Sequence, residues 1–526
     1  MGRPNILFIM ADQMAAGPLP MYGGPVLAPH MAALAARGVV FDAAYCNSPI
    51  CAPSRCSMLT GRLPTAIGAW DNASELASSR PTLAHALAAA GWRTILAGKM
   101  HFIGPDQLHG YEERLTTDIY PAGFDWTPDW SAGPRDKPSG ISMSNVLQAG
   151  PCLRSMQIDY DDEVEYFATQ RLYDLAREPQ EARKPFFMTV SFSHPHPPYT
   201  AGQEHWDRYD HGAIAMPAVP PIPVEERDMQ SQWLHQSHDA DRQPVSAEQV
   251  RNARHAYYAM VSYVDDKVGR LVQTLHACGL AEDTIVVVTA DHGEMLGERG
   301  MWYKQNFFEP SVRVPLMVCA PGRYTPRRVA EPVSLVDLLP TFLDWAGGVL
   351  DWPEPLDGRS LVPLLTHGRD AAEATGTPGT APRQVLSEYT DMGVIAPCRM
   401  LRVGRYKYIY THGHPAQLYD LDEDPAELHN LASVHPPAAP SGLPEVLARM
   451  HRTLLDGWNA DAVHAAVLAS QRSRLFLKKA AAASGRYPDW SFQAVRDDSR
   501  RYVRASGAAG AKARARWPFV PPESTP

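Results

Sequence analysis

Residues 284–290 read TIVVVTA, an apolar run that is followed at once by Asp291 and His292. A continuous run of this kind predicts a strand buried on both faces, as in a parallel sheet. The runs NILFIM at 5–10 and FFMTVSF at 186–192 have the same pattern, and Asp12 and His194 follow them closely. Because ligands gather at the carboxyl ends of strands in such sheets, we expect these polar residues to share one edge.

Helical segments alternate with these strands and indicate a doubly wound α/β domain. The Ala-rich segment Met31–Arg37 predicts a helix that stops at Gly38. A long amphipathic helix is predicted to begin at a capping box around Ser246 and to end near Cys278.

The C-terminal part of the chain has a different pattern. Met400–Tyr410 alternates as one strand should. The Pro- and Ala-rich stretches 217–223 and 371–382 predict loops or linkers, and the second divides a catalytic domain, 1–380, from a smaller unit, 381–460. Residues 461–526 then form an extension, and the Ala/Arg/Gly/Pro-rich end from Ser499 predicts a tail.

Composition is that of an ordinary globular protein: 526 residues, 45% hydrophobic, 20% charged, with a net charge of −9. The negative balance argues against a nucleic-acid partner, which requires a basic face. No apolar run approaches the ~20 residues that a membrane helix needs. The N-terminus lacks the features of a signal peptide. We therefore expect a cytoplasmic protein without a membrane partner.

The seven cysteines do not form a disulfide pattern, since they are odd in number and widely spread. Cys46, Cys51 and Cys56 are evenly spaced and offer a metal site as one alternative, although C-x4-C-x4-C is not a usual zinc spacing. Around Cys51 the chain reads CAPSR at 51–55 and LTGR at 59–62. Pro53 and Gly61 suit the start and end of a helix over Pro53–Thr60, which places Cys51 at an anion-favouring N-terminus. The alternative is a short buried helix with an inert cysteine.

The pattern C-x-P-S-R-x-x-x-L-T-G resembles the maturation signature of the type I, formylglycine-dependent sulfatases. In that family a formylglycine-generating enzyme oxidises the cysteine, and the aldehyde hydrate becomes the nucleophile. One oxygen of the hydrate attacks sulfur and the other expels sulfate as the aldehyde re-forms. The resemblance implies an alkaline-phosphatase-like fold: a large mixed sheet sandwiched by helices, a small C-terminal antiparallel-sheet subdomain and a C-terminal extension.

The resemblance also implies one divalent metal ion, Ca²⁺ or Mn²⁺. Hard ligands hold such an ion, and its charge polarises the ester. Sulfatases usually have two acids after the first strand and Asp-Asn after the later one, whereas this chain has Gln13 and His292 as the second residues. The added nitrogen keeps Mn²⁺ as an alternative to Ca²⁺. The implied metal ligands are Asp12, Gln13, Cys51, Asp291 and His292.

Basic residues in the order of the family complete the implied catalytic set. GKMH at 98–101 resembles the family's G-K-x-H motif, in which Lys99 binds sulfate and His101 assists the nucleophile. His194, in SHPHPPY at 193–199, and Lys304 are implied to serve the leaving oxygen, and Asn72 to donate to the sulfate. The implied catalytic residues are Cys51, Arg55, Lys99, His101, His194 and Lys304.

The resemblance is strongest to the choline sulfatase branch and covers most of residues 4–505. The stretches GPDQLHGYEERLTTDIYP at 104–121 and MLGERGMWYK at 295–304 carry it, together with the segment from SQR at 470–472 to YPDW at 487–490. It implies a small sulfate ester as substrate, with choline-O-sulfate the best candidate, and a homo-oligomer, a dimer or tetramer. A quaternary ammonium prefers aromatic faces and a nearby carboxylate. The candidate pocket residues are Tyr120, Trp126, Trp130 and Glu388.

Two alternatives stay open. Pro197 stands where choline sulfatases usually have Asp, and the resulting PHPPY resembles phosphonate monoester hydrolases. The same site would then act on a phosphonate monoester or phosphodiester, or on an aryl sulfate. The second alternative is a non-catalytic metal-binding or scaffold protein on the same fold.

Overall fold

The apolar runs found in the sequence form the centre of a large sheet. A computed structural model describes residues 3–121, 123–139, 141–179, 183–348, 352–367, 382–433 and 442–485, all within one unit, 1–487. The strands, numbered along the chain, are β1 Asn5–Ala11, β2 Val39–Phe41, β3 Ala44–Tyr45, β4 Arg93–Gly98, β5 Glu113–Arg114, β6 Gly150–Cys152, β7 Phe186–Phe192, β8 Thr200–Gly202, β9 Thr284–Ala290, β10 Arg313–Val314, β11 Leu316–Cys319, β12 Arg327–Val329, β13 Val333–Ser334, β14 Gln384–Tyr389, β15 Cys398–Val403, β16 Tyr406–Thr411 and β17 Gln417–Asp420.

The main sheet has eight strands in the order β12-β2-β11-β9-β1-β7-β4-β5. Strand β1 pairs in parallel with both β7 and β9, whereas β11 pairs antiparallel with β9, so the sheet is mixed as the sequence implied. Ala11 is in register with Phe192 and with Ala290. The residues that follow these three positions therefore leave the sheet at one edge.

Two groups of helices cover this sheet. One contains Pro29–Arg37, Met156–Arg177 and Ala247–Ala277, and the other contains Cys51–Thr60, Leu83–Ala89 and Leu338–Trp345. Phe342 packs edge-on against Phe8 and Phe187, with ring centroids 5.9 and 5.7 Å away. Edge-to-face packing of buried aromatics stabilises the core beyond simple area burial. The remaining helices are Pro64–Ile67, Ser144–Leu147, Gln203–Trp206, Met229–His238, Glu309–Val312, Val362–His367, Leu443–Leu455 and Ala460–Ser484.

Most predicted elements are present, with shifts that have local causes. The long helix has the predicted capping box, in which Ser246 and Gln249 bond reciprocally. The helix predicted from Pro53 begins two residues earlier, at Cys51, and ends at Gly61, whose φ is +63°. The single strand predicted over Met400–Tyr410 is wrong: it is a hairpin of β15 and β16, because the chain turns at Gly404, where φ is +56°.

Strands β14–β17 form the small antiparallel sheet, in sequence order, and helix Leu443–Leu455 packs on β15 and β16. The predicted linker 371–382 lies, but for its last residue, outside the described residues, and so does the tail from Ser499. Within the described ranges, none of the helices combines the length and the apolar character that crossing a membrane requires.

Candidate active site

The two acids predicted at the strand ends lie together at the carboxyl edge of the sheet. Asp12 follows β1 and Asp291 follows β9, and both side chains are fully buried. Gln13 adopts a left-handed φ of +64°, and its N–H donates to Asp291 Oδ1 at 3.0 Å. This bond fixes the exit of the first strand against the exit of the later one.

Cys51 meets these acids from the first position of its helix. Its Sγ lies 3.7 Å from Asp12 Oδ1 and 3.2 Å from His292 Nε2. His292 Nε2 is 3.7 Å from Asp12 Oδ1 and 3.6 Å from Asp291 Oδ1. Four buried residues thus offer ligand atoms that all lie within 4.8 Å of one another: Asp12, Cys51, Asp291 and His292.

The donor set of this group suits a divalent cation, since it combines carboxylate oxygens with one imidazole nitrogen. Gln13, the fifth predicted ligand, lies beside the group with its side chain otherwise engaged. Its Oε1 accepts a hydrogen bond from Lys304 Nζ, and its Nε2 donates to Glu294. Burial raises the pKa of Glu294.

Three predicted cations surround the same group. Arg55 Nε donates to Asp291 Oδ2 at 2.8 Å, and its Nη1 donates to the Lys99 carbonyl at 2.6 Å. Lys99 Nζ pairs with Asp12 Oδ2, and Lys304 Nζ lies 3.7 Å from Cys51 Sγ. All three side chains are buried. The arrangement provides positive charge where a bound oxyanion would need it.

These charges shift the acidity of the buried groups. Burial opposes ionisation of Cys51, but Lys304, Lys99 and His292 outweigh burial and lower the pKa of the thiol well below its usual range. Burial and Cys51 raise the pKa of Asp12, yet Lys99, His196 and Arg55 bring it down to about 2. Neighbouring cations therefore favour the ionised forms of Cys51 and Asp12.

Gly98 is the glycine that this geometry requires. Its φ is +101°, and a Cβ there would lie 1.9 Å from the Ser191 carbonyl oxygen. The chain turns sharply after β4 and continues to His101, whose φ is +57°. Asp118 Oδ2 accepts the N–H groups of Met100 and His101 at 2.9 and 2.8 Å. The glycine of the G-K-x-H motif thus sets the turn that carries Lys99 and His101.

A cavity of about 220 Å³ opens above Cys51. Its aromatic wall consists of His101, Tyr120 and Trp126, with ring centroids 5.5 to 5.8 Å apart. This volume is below the ~300–1,000 Å³ typical of drug-sized ligands, so the cavity suits a small substrate. The other residues that line it include Asn72, Ile141, Asn145, Met156, Gln157, His196, Pro197, Pro198, Tyr303 and Lys304.

The sequence matches known protein families. The family model described as Sulfatase matches residues 4–349, which is more than half of the sequence. The chain belongs to the sulfatase family. Two further models match the C-terminal part of this sulfatase: N-sulphoglucosamine sulphohydrolase, C-terminal, over 297–455, and Choline sulfatase enzyme C terminal, over 465–517.

Similar proteins support the same family. The sulfatase is 44% identical over 509 residues to a protein named choline-sulfatase from Rhizobium meliloti (strain 1021), with 96% of each chain covered. It is 30% identical over 478 residues to arylsulfatase K from Bos taurus, covering 85% of this chain and 84% of that one. The structure of a phosphonate monoester hydrolase from Silicibacter pomeroyi superposes with a TM-score of 0.67 at 25% identity, covering 86% and 95% of the two chains. The predicted sulfatase enzyme and its alkaline-phosphatase-like fold are confirmed.

The structure does not bring His194 to the cavity of this sulfatase. Its ring Nδ1 lies 2.6 Å from Asp161 Oδ2, and the ring packs on Tyr263 with centroids 4.7 Å apart. Asp161 also accepts the N–H groups of Ser193 and His194, at 2.7 and 2.9 Å. This carboxylate holds His194 away from Cys51.

His196 lines the cavity in its place, although the sequence motif pointed to His194. Its Nδ1 lies 2.6 Å from the Pro197 carbonyl oxygen, which can only accept, so Nδ1 carries a proton and Nε2 is left for the cavity. Burial and Lys304 lower the pKa of His196. The only signal was the second histidine of SHPHPPY, and neither spacing nor composition distinguishes the two.

Two other predicted pocket residues lie elsewhere. Trp130 is buried under the loop after β14, where its indole Nε1 donates to the Asp391 carbonyl at 3.2 Å. Glu388 pairs with Arg399 at 3.1 Å and accepts the Thr65 N–H at 2.8 Å. Burial raises the pKa of Glu388. Among the described residues, none that lines the cavity above Cys51 carries a carboxylate side chain.

Proposed function

We propose that this sulfatase hydrolyses choline-O-sulfate to choline and inorganic sulfate, with a formylglycine made from Cys51 and one divalent metal ion. The observation that carries the proposal is the polarity of the cavity: cations surround Cys51 at its buried end, and aromatic rings form the wall beyond. A sulfate group suits the cations, and a quaternary ammonium suits the face of Trp126, since the Tyr120 ring already lies 4.3 Å from Lys99 Nζ. The 44% identity to a protein named choline-sulfatase supports the same substrate.

The metal, Ca²⁺ or Mn²⁺, would be held by Asp12, Asp291, His292 and residue 51. Bound there, it would polarise the sulfuryl oxygens and favour the ionised form of a hydroxyl on residue 51. Arg55 keeps Asp291 oriented through its bond to Oδ2, which leaves Oδ1 directed at the group. Lys99 does the same for Asp12, since it pairs with Oδ2 while Oδ1 faces Cys51.

Modified residue 51 would supply two oxygens, one for attack on sulfur and one for release of sulfate. Lys304 lies close to residue 51 and is bonded to Gln13, so it is positioned to hold a sulfuryl oxygen or to give a proton to the departing alcohol. His196 faces the same space with Nε2. His101 is buried in the aromatic wall of the cavity, where its ring nitrogens lack a hydrogen bond of normal geometry to the described residues and its side chain helps to lower the pKa of the Cys51 thiol. This leaves His101 available to take a proton from residue 51.

The experiment is a comparison of kcat/KM for choline-O-sulfate and 4-nitrophenyl sulfate. The protein used should have residue 51 shown by mass spectrometry to be formylglycine. A clear preference for choline-O-sulfate supports the proposal. Efficient turnover of 4-nitrophenyl sulfate with little turnover of choline-O-sulfate contradicts the substrate and keeps the enzyme class.

A phosphonate monoester or phosphodiester hydrolase with the same site is the second candidate. Two observations favour it: the PHPPY spelling at 195–199, and the likeness to phosphonate monoester hydrolases from Silicibacter pomeroyi and Agrobacterium radiobacter, each at 25% identity and a TM-score of 0.67. A phenylphosphonate monoester added to the same comparison separates the candidates. If kcat/KM for the phosphonate exceeds the values for both sulfate esters, the second candidate replaces the first.

We further propose that the formylglycine-generating enzyme acts before the chain has folded, because Cys51 is only 1% exposed in the folded protein. Refolding of unmodified protein followed by incubation with that enzyme tests this, and conversion of the folded form contradicts it. The homo-oligomer and the cytoplasmic location stay predictions.

A further inference from the structure

The helix Ala460–Ser484 presents one row of polar side chains to the active-site loops. Gln471 Oε1 accepts the Trp130 N–H at 3.1 Å, and Lys478 Nζ donates to the Asp125 carbonyl at 2.8 Å. Arg474 lies between them, one helical turn from each. These three residues therefore contact the segment that carries Trp126 and the turn that carries Asn72.

Arg474 forms a two-pronged ion pair with Asp71. Its Nη1 and Nη2 donate to Asp71 Oδ1 and Oδ2 at 2.5 and 2.6 Å. The side chains are 8% and 0% exposed. A buried, bidentate pair has a fixed geometry, and removal of one partner leaves an uncompensated buried charge.

Asp71 also shapes the turn that places Asn72. Its Oδ1 accepts the Ala73 N–H at 2.9 Å and the Ser74 hydroxyl at 3.1 Å. Asn72 Oδ1 in turn accepts the N–H of Ala52, in the first turn of the helix Cys51–Thr60, at 2.9 Å. Because a backbone N–H occupies the amide oxygen, the Nδ2 donor is the part of Asn72 left for the cavity that it lines.

A second buried carboxylate makes the cation necessary. Asp391 Oδ2 accepts the Asn72 N–H at 3.0 Å, on the other side of the same turn. Burial and, second to it, the nearby charge of Asp71 raise the pKa of Asp391 well above its usual range. The positive charge of Arg474 opposes this shift. Without Arg474 the Asp71 carboxylate would be buried without its ion-pair partner, and the pKa of Asp391 would rise further.

We propose that Arg474 is a positioning residue for sulfate ester hydrolysis, which acts through Asp71 to hold the Asn72 donor over residue 51. The proposal makes the C-terminal helix part of the sulfate end of the site, although the helix itself does not line the cavity. It predicts that loss of Arg474 affects every sulfate ester equally, because the alcohol lies at the other end.

The test compares Arg474→Met with Arg472→Met, an exposed arginine on the same helix. Activity is normalised to folded protein and to the fraction of residue 51 found as formylglycine. We expect Arg474→Met to lower kcat/KM on the order of 10- to 100-fold, as does the loss of other residues that orient a ligand-binding side chain. Arg472→Met should stay within about twofold. The fall should be the same for choline-O-sulfate and for 4-nitrophenyl sulfate, so the result does not depend on the proposed alcohol.

A double-variant comparison separates positioning from general destabilisation. In an Asn72→Ala background the Asn72 donor is already absent, so adding Arg474→Met should lower kcat/KM by less than about twofold. An equal fall in both backgrounds overturns the proposal. A fall confined to choline-O-sulfate also overturns it, because the helix would then act through the segment that carries Trp126.

A second pair of variants covers the case in which Arg474→Met does not fold. Arg474→Lys keeps the charge and loses the two-pronged geometry, and Asp71→Asn keeps the shape of the turn. Both variants should fold. Both should lower kcat/KM when Asn72 is present, and neither should lower it further in the Asn72→Ala background. Wild-type rates from both variants overturn the proposal.

Discussion

The proposed sulfate end of the cavity consists of strand ends and one helical turn, whereas the proposed alcohol end consists of loop residues and the first turn of the helix Met156–Arg177. Asp12, Arg55, Lys99 and Asp291 are fully buried and bonded to one another. Tyr120 and Trp126 are half-buried, and Met156 is 67% exposed. A rigid scaffold thus positions the charges, and loops supply the surface that selects the ester.

The largest effect is expected from loss of the proposed nucleophile, which should abolish activity whatever ester the two ends of the cavity hold. Cys51→Ser cannot give formylglycine by the oxidation proposed above, and we expect kcat to fall at least ~10³-fold on every ester, in the range of other lost covalent nucleophiles. Steady-state kinetics on choline-O-sulfate and 4-nitrophenyl sulfate measures it. Residual activity above a few per cent on either ester, in protein free of wild-type contamination, contradicts the assigned nucleophile.

Metal removal should break the sulfate end alone. After chelation we expect activity to fall on the order of 100-fold for all esters and the Tm to drop, since an ion that binds only the native state stabilises it. Ca²⁺ and Mn²⁺ are then added back separately. His292→Ala serves as the matched variant, because it should weaken re-activation without changing which ester is preferred. Full activity in metal-free protein contradicts the proposed metal site.

Trp126→Ala should break the alcohol end and spare the sulfate end. An aromatic face contributes about 1–2 kcal/mol to holding a quaternary ammonium, so we expect kcat/KM for choline-O-sulfate to fall about 5- to 30-fold. The rate on a neutral alkyl sulfate should change little. Trp130→Phe is the control, because Trp130 lies outside the cavity. Equal losses on both esters would mean that Trp126 serves folding rather than selection.

The smallest effect concerns stability beside the cavity. His238 is fully buried, its Nε2 lies 2.7 Å from Gln305 Oε1, and burial lowers its pKa to about 4. In the unfolded chain His238 binds a proton below about pH 6.5, whereas in the folded protein it stays neutral down to about pH 4. Stability therefore decreases as the pH is lowered from 6.5 to 4. From pH 7 to 5.5 we expect a loss of about 1 kcal/mol in the free energy of unfolding.

Denaturant unfolding of wild type and His238→Gln at the two pH values measures this loss. The variant lacks the titrating ring, so its dependence on pH should be weaker by that amount. The same dependence in both proteins would show that other groups, such as His235, account for the acid sensitivity.

The sequence predicted the sulfate end almost completely. Each of its residues stands directly after an apolar run or inside a short motif, and strand order brings the carboxyl ends of β1, β7 and β9 to one edge. Gly61 marked the end of its helix because that position needs a positive φ. The hairpin at Gly404 was missed because alternation continues across its two-residue turn.

The alcohol end was predicted less well for a physical reason. His194 and His196 are two residues apart in one motif, and which of them faces the cavity depends on Asp161, far along the chain in a helix. Glu388 looked available in sequence, yet Arg399 on the neighbouring strand engages it. Each of these side chains takes the direction that a partner on another element imposes, and the sequence pattern does not show those partners.

The sequence by itself determined which reactive residues this sulfatase has: a cysteine in the family's motif, acids at two strand ends, and lysines and histidines in a fixed order. Local patterns carry that information because strands and helix starts depend on neighbouring residues. Only the tertiary structure decided which histidine and which tryptophan meet the substrate cavity. It also placed Arg474 beside Asp71, 403 positions away, because long-range packing and burial of charge depend on the whole fold.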